Sequence, residues 1–474
     1  MSRAISLSEF HQQLLRCFQN NIPNRLTLAL SGGVDSMCLA YLLSQYKKKI
    51  HPQISISAIT IDHGYREGSA REARKVGEIA RSWGLDHSVE TLQYTQDVCS
   101  ISNFEEVARK LRYQVLRQKC LGSGSQAILV AHNKDDQLET FLQRLQMNST
   151  MFGLRGLREM SPLPLLASPI DSECIRVYRP LLPFEKATIR QTSVENDVEW
   201  FEDVSNQDIS LTKRNLLRYM INEYVPKLIN SRPEIECISR QSLMETTEEV
   251  TKLVQSYETE KQNLDRRVRS NDFQFDELMA SVKFSIPLQE LRDTRLPVLA
   301  RWLYEVIYPL SSAKHFHWSF AKLERQAMAR VWGWLDKPEG TLIMTYLNVS
   351  FNLNLQGLNV EFHLFRQSPQ RDIIRHYKTH VGPKDSSWKL FDRIWWIRIS
   401  NHDADVEIRY YRSSMRRELV NAFPHISSNE KYSRLNFEAF PVIIDEKTSQ
   451  VLAAPTLGLL NDGISVECKL KGLL

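Results

Sequence analysis

The sequence predicts an α/β domain at its N-terminus, followed by a helical domain and a small β-rich domain. Over the first two hundred residues, short apolar runs rich in β-branched residues alternate with longer runs of helical periodicity. Such alternation is typical of a parallel sheet that helices cover on both faces. A chain of 474 residues also exceeds what one hydrophobic core usually serves. We therefore expect three domains, over residues 1–205, 206–335 and 336–474.

The elements of the first domain follow one another in regular order. Strands are favoured in three apolar runs, at residues 25–31, 54–61 and 127–132. Helices are favoured in four amphipathic runs, at residues 37–46, 71–84, 103–122 and 135–145. Because strand and helix patterns alternate, neighbouring strands are expected to run parallel, each connected to the next through a helix.

The pattern changes twice beyond this domain. Up to about residue 335 the helical period dominates, in runs at residues 211–229, 238–264, 296–308 and 318–332. Strand patterns then dominate, at residues 341–355, 360–365, 393–400 and 406–411, and a hairpin is expected over 441–454. Trp395 and Trp396 lie in one of these strands. Packing in the core is the commoner role for such residues, and stacking on bases is the alternative.

Composition excludes several classes of protein. Hydrophobic residues make up 42% and charged residues 25%, which excludes a disordered chain. The longest apolar runs are far shorter than the roughly 18–20 residues that span a bilayer, so no membrane segment is expected. The seven cysteines are odd in number and widely spaced. They argue against a disulfide framework or a zinc ribbon and favour a reducing compartment.

Positive charge is concentrated near the C-terminus. The net charge is +5, and residues 366–417 carry twelve Lys and Arg against six Asp and Glu. The rest of the chain is therefore close to neutral. A local basic surplus is expected of a surface that binds nucleic acid, although a solvated charged face has the same composition.

A loop of small residues separates the first predicted strand from the first predicted helix. Its residues are Ser31, Gly32, Gly33, Val34, Asp35 and Ser36. The glycines allow a tight turn whose N–H groups point at one anion, and the following helix N-terminus adds its positive end. The serine hydroxyls can donate hydrogen bonds, and Asp35 can hold Mg²⁺ on the phosphates. The loop lacks the Gly-Lys-Ser/Thr of a Walker A motif. Its position after a strand favours phosphate binding over an ordinary connection.

This loop resembles the PP-loop of the ATP pyrophosphatases, and further motifs resemble the tRNA(Ile)-lysidine synthetase family within that superfamily. Those motifs are IDHGYR (61–66), EEVARKLRY (105–113), AHNKDDQLET (131–140), RPLL (179–182), EDVSN (202–206) and RNLLR (214–218). The resemblance covers about the first 220 residues. It implies a PP-loop ATP pyrophosphatase domain, with helical and β-rich domains beyond it. Asn133 departs from the pattern, because family members usually carry a second histidine there.

The resemblance implies a reaction and its partners. The family uses ATP and Mg²⁺ to adenylate the C2 carbonyl oxygen of the first anticodon cytidine in an isoleucine tRNA with the anticodon CAU. Free lysine then attacks C2 and expels AMP, so that a C–N bond forms. The oligomeric state is left open, a homodimer included.

Candidate residues follow from the chemistry together with this resemblance. Asp62 and His63 end a strand at the same sheet edge, where they could contact ATP, although a strand-end turn is the alternative. Arg112 is the candidate for neutralising the α-phosphate, while Arg109 is equally explained by an ion pair with Glu105. The resemblance assigns Asp136 and Glu139, which are one helical turn apart, to lysine binding or base catalysis; otherwise they would only complement the helix dipole.

The tRNA is expected to meet basic residues in two parts of the chain. These are Arg412, Arg416 and Arg417 within the basic stretch, and Arg214 and Arg218 at the start of the helical region. For Arg214 and Arg218, contact with the α-phosphate and a solvated helix start are the alternatives. Contacts to phosphates would make binding salt-dependent.

Two alternatives lead to different expectations. A tRNA thiolase of the same superfamily would generally need closer cysteines, and a non-catalytic tRNA-binding protein should have lost Asp35 or Glu139.

Sparse glycine (17 residues) and motifs that depart from the bacterial pattern favour a mitochondrial enzyme over one of the bacterial cytoplasm.

Overall fold

The computed structural model describes residues 3–62, 64, 68–94, 104–165, 175–202, 212–277, 279–313, 319–426 and 437–471. His63, residues 203–206 and the side chain of Glu105 lie outside the described residues. The chain forms two compact units, Met1–Lys252 and Leu253–Leu474. The division into three domains stays a prediction. Of the helices in the described part of the chain, none has the length and apolarity needed to cross a membrane.

The first unit is built on a six-stranded sheet. Its strands are β1 (Arg25–Ala29), β2 (Ser55–Asp62), β3 (Asp86–Thr91), β4 (Ala127–Leu129), β5 (Met160–Pro162) and β6 (Arg176–Tyr178). Their order across the sheet is β3-β2-β1-β4-β6-β5, and all neighbours are parallel except β5 and β6. The strand order reverses beside β1, and open α/β sheets bind ligands at such a point, outside the carboxyl ends of the strands.

Helices cover both faces of this sheet. The helices of this part of the chain are α1 (Leu7–Cys17), α2 (Val34–Lys49), α3 (Ser69–Ser82), α4 (Phe104–Ser123), α5 (Lys134–Gln146), α6 (Met151–Leu154) and α7 (Lys186–Glu195). One core cluster packs α1, α2, α3 and α7 against the sheet, and a second packs α4 against β2, β4 and β6. Within β4, Ala127 and Leu129 join the first cluster and Ile128 joins the second. The predicted α/β fold is confirmed.

The first unit ends in helices. These are α8 (Lys213–Tyr219), a π-helix (Met220–Tyr224), α9 (Val225–Ile229) and α10 (Arg240–Arg269), within which the boundary of the units falls. Thr212 caps α8, because its hydroxyl accepts a hydrogen bond from the Asn215 N–H at 3.1 Å. Leu138 and Phe141 of α5 pack with Ile221 and Met244, which brings α8 next to α5.

The second unit contains three antiparallel sheets in its described residues. Their strands are β7 (Gln274–Asp276), β8 (Ser281–Pro287), β9 (Leu342–Tyr346), β10 (Val349–Gln356), β11 (Asn359–Arg366), β12 (Lys378–Val381), β13 (Lys389–Phe391), β14 (Trp395–Ser400), β15 (Val406–Tyr410), β16 (Pro441–Asp445), β17 (Val451–Ala454), β18 (Leu459–Leu460) and β19 (Ser465–Leu470). The hairpin expected over 441–454 is confirmed as β16 and β17. Trp395 and Trp396 are buried, which confirms their core role.

Two strands lie where the sequence was expected to be helical. β7 and β8 precede the predicted β-rich region, and β8 pairs with β11. The side chains of Val282, Phe284 and Ile286 alternate into the core. The remaining helices are α11 (Leu288–Asp293), α12 (Leu296–Ile307), α13 (Ser319–Lys322), a second π-helix (Leu323–Ala327), α14 (Met328–Asp336), α15 (Arg371–His376) and α16 (Arg416–Ala422).

Candidate active site

The predicted phosphate loop joins the end of β1 to the start of α2. Gly32 has φ +86°, and a Cβ atom there would lie 2.8 Å from Cγ2 of Val76, so only glycine fits this position. Gly33 is the N-cap of α2, at φ −71°, and among the described residues no side chain caps this helix. The N–H groups of the first turn therefore remain available to an anion.

Two serine hydroxyls hold the loop closed. Ser36 donates to the Gly33 carbonyl at 3.0 Å, and its oxygen accepts from the Ser31 hydroxyl at 3.0 Å and from the Ser31 N–H at 3.2 Å. The loop is thus organised by its own side chains.

Asp35, in the first turn of α2, lies among groups from two other elements. Asn133 donates to its Oδ1 at 3.0 Å, and Nζ of Lys186 is 3.6 Å from its Oδ2. Burial raises the pKa of Asp35, and the nearby Asp136 raises it further, while Lys186 and Asn133 oppose the shift. A cation beside Asp35 would favour its charged form.

Asp62 ends β2, the strand that neighbours β1. Its side chain is buried and accepts a hydrogen bond from the Gly64 N–H at 2.9 Å. This contact is the turn geometry that the sequence left open as an alternative to nucleotide binding.

Asn133 begins α5 and connects this helix to the phosphate loop. Its Oδ1 accepts from the Asp136 N–H at 3.0 Å, and Asp136 Oδ2 accepts from the Asn133 N–H at 2.9 Å, which forms a capping box. The Asn133 amide also donates to Asp35. The residue that departs from the family pattern therefore has two structural roles that were not predicted from the sequence.

Asp136 and Glu139 are buried and both contact arginines of α8. Arg214 donates to Asp136 and to Glu139, and Arg218 donates to Glu139. Arg218 Nη2 also lies 3.6 Å from Asp136 Oδ1. The carboxylates predicted for lysine and two of the arginines predicted for tRNA thus form one ion-pair cluster.

A second ion-pair cluster involves Asp135, also in the first turn of α5. Arg240 contacts Asp135 Oδ1 at 2.8 Å and Glu185 at 3.2 Å, and Asp135 Oδ2 accepts from the Lys186 N–H at 2.8 Å. These contacts anchor α7, and with it Lys186, beside Asp35. Lys186 was not predicted from the sequence as a site residue, although it follows the RPLL motif by only four residues.

Arg112 lies in a group of positive charges that faces His132. Burial lowers the pKa of Arg112, and Arg109 and Arg214 lower it further. His132 precedes the N-cap of α5, and its Nδ1 accepts from Nε of Arg179 at 3.2 Å. Burial lowers the pKa of His132 to about 3, with the arginine charges adding to the shift. Those arginines are Arg179, Arg214, Arg109 and Arg112.

The predicted tRNA-binding arginines of the second unit differ in exposure. Arg416 and Arg417 begin α16 and are exposed. Arg412 is half-buried and donates to the carbonyls of Ile374 (3.4 Å) and Arg375. Only the first two present their charge fully to solvent.

The fold and this loop define an ATP-utilising class of domain. The profile of the PP-loop domain family matches residues 6–225. The first unit, with its largely parallel sheet and glycine loop, is a PP-loop domain.

The chain is similar to known proteins over part of its length. It is 30% identical over 272 residues to a probable tRNA(Ile)-lysidine synthase of Schizosaccharomyces pombe, covering 56% of this chain and 54% of the relative. It is 35% identical over 205 residues to a tRNA(Ile)-lysidine synthase of Wolbachia pipientis wMel (43% and 45%). For the enzyme of Bradyrhizobium diazoefficiens the identity is 34% over 191 residues (40% and 50%). Each match spans about half of the relative's own length.

Proposed function

We propose that this chain is a tRNA(Ile)-lysidine synthase, which ligates lysine to C2 of the first anticodon cytidine of isoleucine tRNA at the expense of ATP. The observation that carries the proposal is the position of Asn133. It caps the helix that bears the buried pair Asp136 and Glu139, and its amide donates to Asp35 of the phosphate loop. A site for polyphosphate and a site for an organic cation therefore adjoin, as the two halves of this reaction require.

The phosphate loop is proposed to bind ATP. The first-turn N–H groups of α2 and the hydroxyls of Ser31 and Ser36 can donate to phosphate oxygens. The ammonium of Lys186 can neutralise a further charge. Asp35 fits Mg²⁺ as a carboxylate ligand, because this ion is usually bound by one or two carboxylates with phosphates and waters completing the shell. Bound there, Mg²⁺ would supply charge stabilisation to the departing pyrophosphate.

The attack on ATP comes from the cytidine oxygen. Its product, an O-adenylated cytidine, is activated at C2 because AMP is a good leaving group. The half-buried Arg112 can neutralise the α-phosphate, since a guanidinium keeps its charge even when burial lowers its pKa.

Asp136 and Glu139 are proposed to receive the ε-ammonium of lysine. The guanidinium groups of Arg214 and Arg218 contact these carboxylates in the free chain and stand in for that ammonium. Once lysine replaces them, a carboxylate can take the proton that the amine must lose before it attacks C2. The displaced guanidinium groups can then contact phosphates of the tRNA.

Incorporation of labelled lysine into tRNA tests this function. The substrate is an isoleucine tRNA transcript with the anticodon CAU, with ATP and Mg²⁺, and a transcript with uridine in place of the first anticodon cytidine is the control. We expect label only in the cytidine transcript, with AMP and pyrophosphate released. Pyrophosphate release without label would indicate another nucleophile, as in a thiolase. Absence of both would contradict the enzyme assignment.

A mitochondrial location and the homodimer remain proposals of the same kind. Fractionation of the native source and light scattering of the purified chain would test them.

A further inference from the structure

His132 is a half-buried titratable residue that the function proposed above does not use. It follows β4 at the carboxyl edge of the sheet and directly precedes Asn133, which donates to Asp35 of the phosphate loop. It is therefore next in the chain to the residue that connects the proposed sites for ATP and for lysine.

The contact with Arg179 determines where the imidazole carries its proton. Nε of Arg179 lies 3.2 Å from Nδ1 of His132. A guanidinium has only donors, so Nδ1 must accept and cannot carry hydrogen. The neutral ring then bears its proton on Nε2. The one hydrogen bond of this ring found among the described residues is the bond to Nδ1.

Arg179 is itself fixed. It is buried, and its Nη1 donates to the Arg158 carbonyl at 2.8 Å and to the Ser161 hydroxyl at 3.0 Å. These bonds aim Nε at the histidine ring. The Arg179 guanidinium thus donates to three acceptors, which are the Arg158 carbonyl, the Ser161 hydroxyl and the imidazole.

The charged groups that act on His132 are all arginines, and they come from three parts of the fold. Arg109 and Arg112 belong to α4, Arg214 belongs to α8, and Arg179 follows β6. An anionic oxygen is therefore attracted to this place, whereas a second cation is repelled. A neutral N–H group can donate to that oxygen without adding to the repulsion among the arginines.

We propose that His132 is a neutral hydrogen-bond donor, through Nε2–H, to an anionic oxygen of the bound substrate, and that Arg179 is its positioning residue. The proposal rests on the proposed function, in which this oxygen belongs to the α-phosphate of the adenylated cytidine. Because Nε2 already carries hydrogen, His132 cannot be the base that deprotonates lysine. That role is left to Asp136 or Glu139.

Nuclear magnetic resonance of the full-length chain with ¹⁵N-labelled histidine tests the tautomer directly. The His132 signal is the one that disappears in His132→Gln. We expect a pyridine-type Nδ1 and a pyrrole-type Nε2, unchanged between about pH 5 and 8, the range in which an ordinary histidine titrates. A protonated Nδ1 anywhere in this range would overturn the proposal.

Two substitutions of His132 test the donor. Glutamine retains an N–H donor, and alanine does not. We expect His132→Ala to slow tRNA-dependent pyrophosphate release by about 10²–10³-fold, the usual effect of losing one such donor, and His132→Gln to retain most of the rate. Equal losses in the two variants, or no loss in either, would overturn the donor role. Melting curves of both variants confirm that the fold is intact.

A double-mutant cycle separates positioning from general structural support. Arg179→Gln should lower the rate in the wild-type background and have a smaller effect in His132→Gln, which has no tautomer to fix. Strictly additive effects would mean that Arg179 only supports the fold.

These tests do not depend on lysine transfer. If the wild-type chain releases pyrophosphate but does not incorporate lysine, the proposed function fails while the role of His132 is still decided. If no pyrophosphate is released, the magnetic resonance experiment still decides the tautomer.

Discussion

Gly32 and Gly33 are chemically identical neighbours with different structural requirements. Gly32 adopts a left-handed backbone and has no room for a Cβ atom beside Val76. Gly33 has an ordinary φ, and a Cβ atom there would meet only Ser31 Oγ at 3.8 Å, a normal contact. Replacing the two residues therefore separates folding from the other roles of the loop.

We expect Gly32→Ala to destabilise the chain by at least about 1–2 kcal/mol, the cost of a left-handed non-glycine residue. Gly33→Ala is the matched control and should change the free energy of unfolding by less than about 1 kcal/mol. Chemical denaturation of both variants measures the difference. Equal stabilities would show that the loop does not hold the turn described above.

Asp35 and Asp136 should support different halves of the reaction, adenylation of the cytidine and transfer of lysine. Asp35→Ala removes the proposed Mg²⁺ ligand and should abolish tRNA-dependent pyrophosphate release. Asp136→Asn keeps an oxygen for the capping box and should spare that release while lowering lysine incorporation by about tenfold or more, since the lost contact is to a charged group. Both partial reactions are measured on each variant. Full activity of Asp35→Ala would refute the phosphate-loop assignment.

The role of a single residue was predictable from the sequence where the residues that define its site are consecutive in the chain. The loop from Ser31 to Ser36 could be placed because its glycines, serines and aspartate are consecutive. The partners of Asp136 could not, because Arg214 is 78 residues further along the chain. Asn133 was identified only as a departure from a motif, since its bond to Asp35 depends on how α2 and α5 pack.

At the scale of helices, α5 and α8 act as a pair. The arginines of α8 neutralise two buried acids of α5, a pair of charges that would be costly to leave uncompensated. Any ligand that competes for these acids must therefore displace α8 side chains.

Weakening this pairing should make the acids easier for lysine to reach. We expect Arg218→Gln to tighten lysine binding to the free chain by up to about tenfold, which corresponds to about 1.4 kcal/mol. Isothermal titration with lysine, in the absence of tRNA, measures the affinity. Lys213→Gln, an exposed neighbour on the same helix, is the control and should bind lysine as the wild type does. Weaker binding in Arg218→Gln alone would mean that the arginine belongs to the lysine site itself.

Element order was predictable from hydrophobic period, and element pairing was not. Each helix and strand expected in the first 150 residues is present, because a helical period and an apolar run rich in β-branched residues are local properties of the sequence. The strand at Ser281–Pro287 was missed although Val282, Phe284 and Ile286 alternate, because the run is short and lies between helices. Its partner β11 is more than 70 residues away in the chain, so a local sequence pattern could not predict this pairing.

For the whole molecule, the basic stretch of residues 366–417 predicts how tRNA affinity depends on salt. Each phosphate contact that is lost should reduce the slope of log affinity against log salt by about 0.7–0.9. The double variant Arg416→Gln/Arg417→Gln should therefore bind tRNA more weakly and with a slope reduced by about 1–2.

Filter binding at several salt concentrations measures this slope. Arg330→Gln removes an exposed arginine outside the basic stretch and is the matched control. An unchanged slope in the double variant would assign this stretch to a solvated charged face, the alternative that composition left open.

The π-helix Met220–Tyr224 has a consequence for the gene. A π-helical turn accommodates one residue more than an α-helical turn, so loss of a single codon in this segment could restore a regular α-helix from Lys213 to Ile229. Because that turn already absorbs the extra residue, such a deletion would leave the direction of the helix beyond it nearly unchanged relative to Arg214 and Arg218. In a regular α-helix, by contrast, loss of one residue rotates everything beyond it by about 100°. In-frame codon loss here should therefore be tolerated better than in the regular helices, provided that Ile221, which packs with Leu138 and Phe141, is retained.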